Sequence, residues 1–183
     1  VVGDAEKYKV ELEGGYKYAG YGAEQNKHKK ALQTAQTLER VYEDNPCIAD
    51  NYVKSRLYNL LGMICNDMSS MKDSAEHYYK KTLEIIEELA KENPDRFNAD
   101  LAMSYTNAGV FYNNQGKTKK AGKYHKKALE IREKLAKGNP DRFNADLAQS
   151  YNNAGIFYNA QGDAKNAEDY YAKAIEIMEE LAK

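Results

Sequence analysis

The chain has 183 residues, a nearly balanced charge (27 Lys and Arg against 28 Asp and Glu), sixteen tyrosines and no tryptophan. This balance gives no basic footprint for nucleic acid, and no apolar run approaches the roughly 20 residues of a membrane helix. Two cysteines are too few for a disulfide framework. A chain of 183 residues with only three prolines does not have the composition of a disordered protein, and its first 30 residues lack a secretory apolar segment. We therefore expect a folded cytoplasmic protein with no nucleic-acid and no membrane partner.

An internal repeat organises most of the sequence. The segment NPDRFNADLA occurs at 93–102 and again at 139–148, and sliding 93–137 onto 139–183 matches about 31 of 45 positions. A third Asn-Pro pair stands at 45–46. Each pair precedes an amphipathic segment, a break and a second amphipathic segment, so every unit predicts two helices. In chain order, the spacing predicts helices over 5–25, 28–43, 47–68, 72–92, 94–115, 117–137, 140–161 and 163–182.

The predicted helix ends carry local signals. Pro94 and Pro140 suit a first helical turn, where a missing N–H costs nothing, and Asn93 and Asn139 can cap that turn. The breaks inside the units contain glycine or serine, at Gly116, at Gly162 and at Ser69-Ser70. These signals indicate a helix, a turn and a second helix in each unit.

Glycines also lie midway along two predicted first helices. Gly109 and Gly155 would each cost about 1 kcal/mol relative to alanine at an exposed helical position. We therefore expect close helix packing there, with Ala121 and Ala167 of the second helices as the contacts. Tyrosines at fixed positions of the unit then fill the larger spaces of the core: Tyr105, Tyr112, Tyr151 and Tyr158.

The last unit combines an aromatic residue, a small residue followed by glycine, a tyrosine, a turn glycine and then alanine, aromatic and alanine. These residues are Tyr151, Ala154-Gly155, Tyr158, Gly162, Ala167, Tyr171 and Ala174. The pattern resembles a tetratricopeptide repeat. The preceding unit matches as well, with His125 replacing an aromatic, while 46–92 matches more loosely and 5–44 is degenerate. The basic repeat of that family has about 34 residues; a period near 46 is similar to the extended repeats of kinesin light chains and bacterial signalling proteins.

The resemblance implies an all-α, right-handed superhelical solenoid of about eight antiparallel helices in four pairs. The units would be approximately 5–44, 46–92, 94–138 and 140–183, forming one domain. It also implies that the first helices line a concave groove. Asparagine recurs at the groove positions, and its amide can read the backbone of an extended peptide. The expected peptide-binding residues are Lys17, Tyr18, Arg56, Asn59, Asn66, Asn107, Asn113, Asn153 and Asn159.

The groove predicts a protein or peptide ligand. Its best-formed units carry no positive charge, unlike grooves that grip a terminal carboxylate, so we expect a neutral, Asn-rich surface. For Asn107 and Asn153, a purely structural role between neighbouring first helices stays open. Two functional alternatives also stay open: a ligand-sensing regulatory module for a small peptide or metabolite, and an architectural spacer.

Catalytic patterns are missing from the sequence. The three histidines are scattered, no closely spaced metal ligands occur, and no phosphate-binding glycine motif is present. Cys65 lies in the apolar run LLGMIC, where we expect a small buried hydrophobe. We therefore expect a non-catalytic protein without cofactor or metal.

Two further surfaces stand out. Six lysines lie between 117 and 127, in one predicted second helix. They form either a solvated face or a docking patch for an acidic partner. The sequence begins Val-Val and stops where another Asn-Pro is due, which suggests a piece of a longer array. Ile175 and Met178 of the last helix would then be exposed, so end-to-end self-association is expected to be feasible.

Overall fold

The computed structural model describes residues 25–46 and 50–183, and its contacts divide the chain into two compact units, Val1–Leu89 and Ala90–Lys183. Over the described residues the chain forms seven α-helices and no strand. They are α1 Gln25–Asp44, α2 Asn51–Asp67, α3 Lys72–Glu92, α4 Pro94–Asn114, α5 Thr118–Gly138, α6 Pro140–Ala160 and α7 Ala164–Leu181, with a short 3-10 helix at Ser69–Met71. The predicted helix over 5–25 lies almost entirely outside the described residues. A single array over 1–183 stays a prediction.

The capping signals of the two best-formed repeats are confirmed. The side chain of Asn93 accepts a hydrogen bond from the backbone N–H of Arg96 at 3.1 Å, and that of Asn139 accepts one from Arg142 at 3.2 Å. Each following proline occupies the first turn of its helix. Gly116 and Gly162 turn the chain with φ of 67° and 75°, a region that residues with a Cβ rarely adopt. These turns fold α5 back on α4 and α7 back on α6.

The third Asn-Pro pair behaves differently from the other two. Asn45 closes α1, because its N–H and its side-chain amide both donate to the carbonyl of Val41 at 3.1 Å. Helix α2 begins only at Asn51, where Asp50 accepts a hydrogen bond from the N–H of Val53 at 2.8 Å. The predicted start at residue 47 was therefore wrong. The residue that caps this helix is Asp50, and not the asparagine of the Asn-Pro pair.

In the first unit, α1, α2 and α3 each bury apolar residues, and α3 contacts both of the other helices. Helix α1 buries Leu32, Ala35, Leu38 and Tyr42, and α2 buries residues of the LLGMIC run. Helices α2 and α3 also meet through the hydroxyl of Thr82, which donates to the carbonyl of Ser55 at 3.5 Å. The hydroxyl of Tyr78 donates to the Glu39 carboxylate at 2.8 Å, which joins α3 to α1.

In the second unit, each helix from α4 to α7 packs on the next, and the first helices α4 and α6 also touch. The core between α5, α6 and α7 contains Leu129, Ala136, Leu147, Tyr151, Ala154 and Ala174. Tyrosines pair in the same way in both repeats: Tyr112 stacks on Tyr124 with ring centroids 5.5 Å apart, and Tyr158 on Tyr170 at 5.4 Å. The prediction that the repeated tyrosines fill the core is confirmed for Tyr105, Tyr112 and Tyr151, which are buried, whereas Tyr158 is half-buried.

The atoms nearest to the mid-helix glycines belong to rings that the sequence did not predict as their neighbours. A Cβ at Gly109 would lie 2.9 Å from the ring of His125, and a Cβ at Gly155 would lie 2.5 Å from the ring of Tyr171. In the first unit, Gly62 faces Tyr79 at 3.0 Å in the same way. The glycines therefore accommodate a ring of the second helix, because a Cβ at these positions would collide with that ring. The contacts with Ala121 and Ala167 stay predictions.

Candidate functional site

The exposed sides of α4 and α6 form the surface on which the predicted ligand-binding residues of the second unit lie. We call it the first-helix face, and it comprises Met103, Thr106, Asn107, Val110, Asn113 and Asn114 of α4 with Gln149, Asn152, Asn153, Ile156, Asn159 and Ala160 of α6. Opposite this face, α4 buries Leu101, Tyr105 and Tyr112, and α6 buries Leu147, Tyr151 and Phe157. The two helices touch each other, so the residues of the face form one surface.

Three large apolar side chains are exposed on this face. Met103 is 37% exposed, Val110 39% and Ile156 49%. Scattered exposed apolar residues are ordinary in soluble proteins, but a group of them on one face marks a candidate contact surface. Amide side chains lie between them: Asn107, Asn113 and Asn153 are half-buried, and Asn159 is exposed. The face thus combines apolar contact area with hydrogen-bonding groups.

The electrostatic character of the face is neutral, as predicted for its best-formed units. None of its twelve residues is titratable, because they are amides, a threonine, an alanine and apolar side chains. A carboxylate would find no cationic group on it. The face can offer amide donors and acceptors to a peptide backbone, and apolar surface to side chains.

The predicted residues of the first unit are placed less favourably for a ligand. Asn59 is only 8% exposed, and its amide donates to the sulfur of Met63 at 3.8 Å, so it presents little surface. Asn66 accepts hydrogen bonds from the ammonium of Lys72 through its backbone and side-chain oxygens. Arg56 is exposed, with its guanidinium 5.9 Å from the ring centroid of Tyr52. Lys17 and Tyr18 lie outside the described residues.

The internal repeat itself marks the first-helix face. Residues 93–116 and 139–162 differ at only four positions: Met103 is replaced by Gln149, Thr106 by Asn152, Val110 by Ile156 and Asn114 by Ala160. All four pairs lie on this face, and none is buried. The buried side of the helix is therefore identical in the two copies, while the exposed side varies. This signal was present in the sequence and identifies the apolar members that a search for asparagine passes over.

The groups with catalytic or metal-binding chemistry are arranged differently. Cys65 is fully buried and unpaired, and burial, aided by the charge of Glu39, raises the pKa of its thiol to about 11. The prediction of a small buried hydrophobe is confirmed, and Cys47 lies outside the described residues. Within 25–46 and 50–183, no group of three or more His, Cys, Asp or Glu side chains is placed to hold a metal ion. In the same ranges, every helix is too short or too polar to cross a bilayer.

Comparison with known proteins agrees with this architecture. Residues 100–180 match the tetratricopeptide repeat family. The chain is similar in structure to BtubC (BKLC) from P. vanneervenii, with a TM-score of 0.73 and 29% identity over 86% of this chain and 59% of that one. It is also similar in fold to MamA, with a TM-score of 0.52 and 21% identity over 96% of this chain and 80% of that one. No curated protein matches it.

The matched segment, the repeated helix pairs and the structural likeness agree, and the fold is an all-α helical-repeat solenoid. Residues 100–180 are thus identified as tetratricopeptide repeats, and the chain as a whole is similar in structure to proteins built from helical repeats. Repeats of this family generally mediate protein–protein interaction and are typically non-catalytic. The chain spans 59% of the length of BtubC.

Proposed function

We propose that the first-helix face binds a peptide segment of a partner protein, and that the chain acts as a non-catalytic interaction module. The observation that carries this proposal is the variation between the two repeats. Four exposed positions of the first helix differ, while every buried position of that helix is the same. A spacer needs no such variation, whereas a binding face must match a ligand that differs along its length.

The chemistry of the face defines the ligand. The absence of charge favours a neutral segment, since a charged group would lose hydration without gaining a partner. Met103, Val110 and Ile156 suit apolar side chains of the segment. Asn107 and Asn153 recur at the same position of both repeats, so their amides suit the repeating backbone of an extended peptide. We therefore expect a neutral, partly apolar segment in extended conformation.

A peptide-display experiment tests this function. A library of random 12-residue peptides is selected on the chain, and the enriched peptides are titrated by fluorescence polarisation. Neutral peptides with apolar residues should be enriched, and Asn107→Ala with Asn153→Ala should raise their Kd about tenfold, the effect of losing hydrogen bonds worth about 1.4 kcal/mol in all. Circular dichroism should remain unchanged.

The matched control is Asn98→Ala with Asn144→Ala. These residues stand nine positions earlier in the same helices. Nine residues are about two and a half helical turns, so the control pair lies on the opposite side of each helix from Asn107 and Asn153. The control should change the Kd less than twofold. If no peptide is enriched, the chain is a spacer. If a peptide binds and small-angle scattering shows a changed radius of gyration, the ligand-sensing role replaces the simple module.

We also propose that the chain self-associates through α7. Leu129 and Arg132 of α5 are buried in the interface with α6, but the residues 46 positions later, Ile175 and Met178, are 57% and 54% exposed. This face of α7 therefore corresponds to a surface that receives a first helix elsewhere in the molecule. We propose that a second copy of the chain supplies such a helix to this face of α7.

Light scattering at increasing protein concentration tests the self-association. The mass should rise toward a dimer or higher species, and Met178→Asp should return it to the monomer, since a carboxylate would be buried at the contact. Lys165→Asn changes the charge by the same amount on another side of α7 and should have no effect. A monomer at all concentrations would disprove this contact.

A further inference from the structure

The outward side of α5 carries a concentration of positive charge that the first-helix face does not use. Helix α5 buries Ala121, His125, Ala128 and Arg132 on its inner side. We call the exposed residues on the other side the lysine face: Lys117, Lys119, Lys120, Lys123 and Lys126. The segment 117–127 contains no Asp or Glu, although the whole chain has a net charge of −1.

Part of this charge is held in place by aromatic rings. The ammonium groups of Lys117 and Lys120 lie 5.6 and 4.9 Å from the centroid of the Tyr112 ring. Lys127, next to the face, lies 4.5 Å from the centroid of Tyr105 and donates to its hydroxyl at 2.9 Å. Cation–π contacts of this kind restrict the side chains. They reduce the entropy that a partner must overcome to order the lysines.

The ion pair between Lys126 and Glu130 does little to neutralise the lysine face. Lys126 and Glu130 form an exposed ion pair one helical turn apart, with 3.9 Å between nitrogen and oxygen. Exposed pairs at this spacing are weak and yield readily to a better arrangement. The lysine face therefore keeps a positive potential that extends about a Debye length, some 8 Å at physiological salt.

The other repeat shows that the fold does not require four of these five lysines, while Lys119 is retained there as Lys165. At the positions of Lys117, Lys120, Lys123 and Lys126, α7 carries Asp163, Asn166, Asp169 and Ala172. These two sets occupy the same places of two helices with the same fold, and four positive charges in one correspond to two negative charges in the other. Helix packing therefore does not explain the lysine face, and the difference belongs to the surface.

We propose that the lysine face docks an acidic peptide segment of a partner protein. From Lys117 to Lys126 the face extends about 14 Å along the helix, which corresponds to roughly four residues of an extended chain. A short run of consecutive Glu or Asp residues would therefore place its carboxylates within reach of these lysines. Charge complementarity of this kind steers the encounter and selects the partner.

A peptide fits this face better than nucleic acid. Single-stranded nucleic acid needs aromatic faces on which its bases can stack. The tyrosine under the lysine face is already occupied, because the ring of Tyr112 is buried and stacks on Tyr124 at an interplanar angle of 9°. The lysines thus offer charge without a stacking surface.

The test uses a fluorescein-labelled peptide of eight glutamates, titrated with the 183-residue chain in 0.15 M salt. The variant Lys120→Asn, Lys123→Asp, Lys126→Ala introduces the residues that α7 carries at these positions, so it should keep the fold. It should raise the Kd of the peptide at least tenfold. Increasing salt should weaken binding to the unmodified chain more steeply than binding to the variant.

The control removes the same charge from another exposed surface. Lys29→Asn, Lys30→Asp, Lys80→Ala lowers the net charge equally, and Lys80 pairs with Glu76 as Lys126 pairs with Glu130. This control should change the Kd less than twofold. Asn107→Ala with Asn153→Ala should also leave glutamate-peptide binding unchanged, which separates this proposal from that of the first-helix face.

Four outcomes would overturn the proposal. They are no measurable binding in 0.15 M salt, an equal loss in the control, tighter binding of a 12-nucleotide single-stranded DNA that the variant abolishes, and a dimer in sedimentation that the variant dissociates. The third outcome would assign the face to nucleic acid and the fourth to a second copy. Circular dichroism and the melting temperature of the variant verify its fold, and Lys123→Glu alone provides a milder second variant.

Discussion

The two repeats of the second unit, 94–138 and 140–183, are nearly the same sequence in two different surroundings. Their first helices differ at four positions, all of them unburied, whereas their second helices differ at many more. Three of the latter differences are at buried positions of α5: His125 corresponds to Tyr171, Leu129 to Ile175 and Arg132 to Met178. The comparison shows at which positions this fold tolerates substitution, and it suggests how each substitution changes the free energy of unfolding.

The buried differences follow from the neighbours of each helix. His125 lies between Gly109 and Phe157, whose ring centroid is 5.3 Å from that of the imidazole. Arg132 extends to α6, where its guanidinium donates to the backbone carbonyl of Asp146 at 2.6 Å and pairs with its carboxylate at 3.6 Å. Helix α5 thus has a helix on each side within the unit. The matching residues of α7, Tyr171 and Met178, are more exposed.

The largest effect is expected from pH, through His125. Burial lowers the pKa of this imidazole to about 4, from 6.5 when it is unfolded. The unfolded chain therefore binds the proton more strongly, and the free energy of unfolding should fall by about 3 kcal/mol as the pH drops from 6.5 to 4. Urea unfolding of the chain at pH 7 and at pH 4.5 measures this loss.

His125→Tyr is the variant that makes this repeat like its neighbours, since Tyr79 and Tyr171 occupy the same position. It should remove most of the difference in stability between pH 7 and pH 4.5. An unchanged difference in the variant would show that other groups, such as the carboxylates, cause the loss.

The next effect concerns Arg132, and it separates packing from charge. Arg132→Ala should destabilise the chain by about 2–3 kcal/mol, because the buried stem is lost together with the hydrogen bond that the charged guanidinium donates to Asp146. Arg132→Met, the residue of α7, should cost less than about 1 kcal/mol, since desolvation of the guanidinium offsets the gain from the ion pair. Asp146 is about half exposed, so water can solvate its carboxylate in either variant.

Chemical denaturation of the two variants shows whether the hydrogen bond of Arg132 or the desolvation of its guanidinium has the larger effect on stability. If Arg132→Met is as unstable as Arg132→Ala, the hydrogen bond to Asp146 outweighs desolvation. If both are close to the unmodified chain, the contact between α5 and α6 depends on the apolar cluster around Leu129 and Leu147 alone.

The smallest effects are expected at the glycines. Gly109→Ala places a Cβ 2.9 Å from the buried His125 ring, so overpacking should exceed the gain in helix propensity and leave a net loss of about 1 kcal/mol. Gly155→Ala should cost less despite the shorter distance, because Tyr171 is half-exposed and can move toward solvent. Gly138→Ala, with no atom within 4 Å of the new Cβ, should raise the melting temperature slightly. Thermal unfolding of the three variants gives the order, and an equal effect at all three would contradict the close-approach explanation.

Much of the helical framework could be predicted from the sequence because its causes are local. Asn93 and Asn139 cap the helices that their prolines begin, and Gly116 supplies the positive φ of a turn. The start of α2 could not be read in the same way, since Asn45-Pro46 resembles the other pairs but Asp50 holds the cap. An Asn-Pro pair indicates a helix start only where the residues that follow it are themselves helical.

The candidate site was predictable in part. The neutral character of the first-helix face follows from its residue types, and the exposure of its variable positions agrees with helical spacing. The burial of Asn59 could not be predicted, because the same residue type at a similar position is open in one helix and covered in another. Exposure depends on side chains that arrive from other parts of the chain.

The sequence by itself determined the class of fold, the repeat period and the helix ends of the second unit, since these depend on spacing and on residues a few positions apart. Only the tertiary structure decided that a ring of the second helix lies against Gly109 and Gly155, and that Arg132 joins α5 to the backbone of α6. The reason is physical: helix formation is governed by contacts within about four residues, whereas the volume left beside a glycine and the partner of a buried charge are set by helices that meet only after folding.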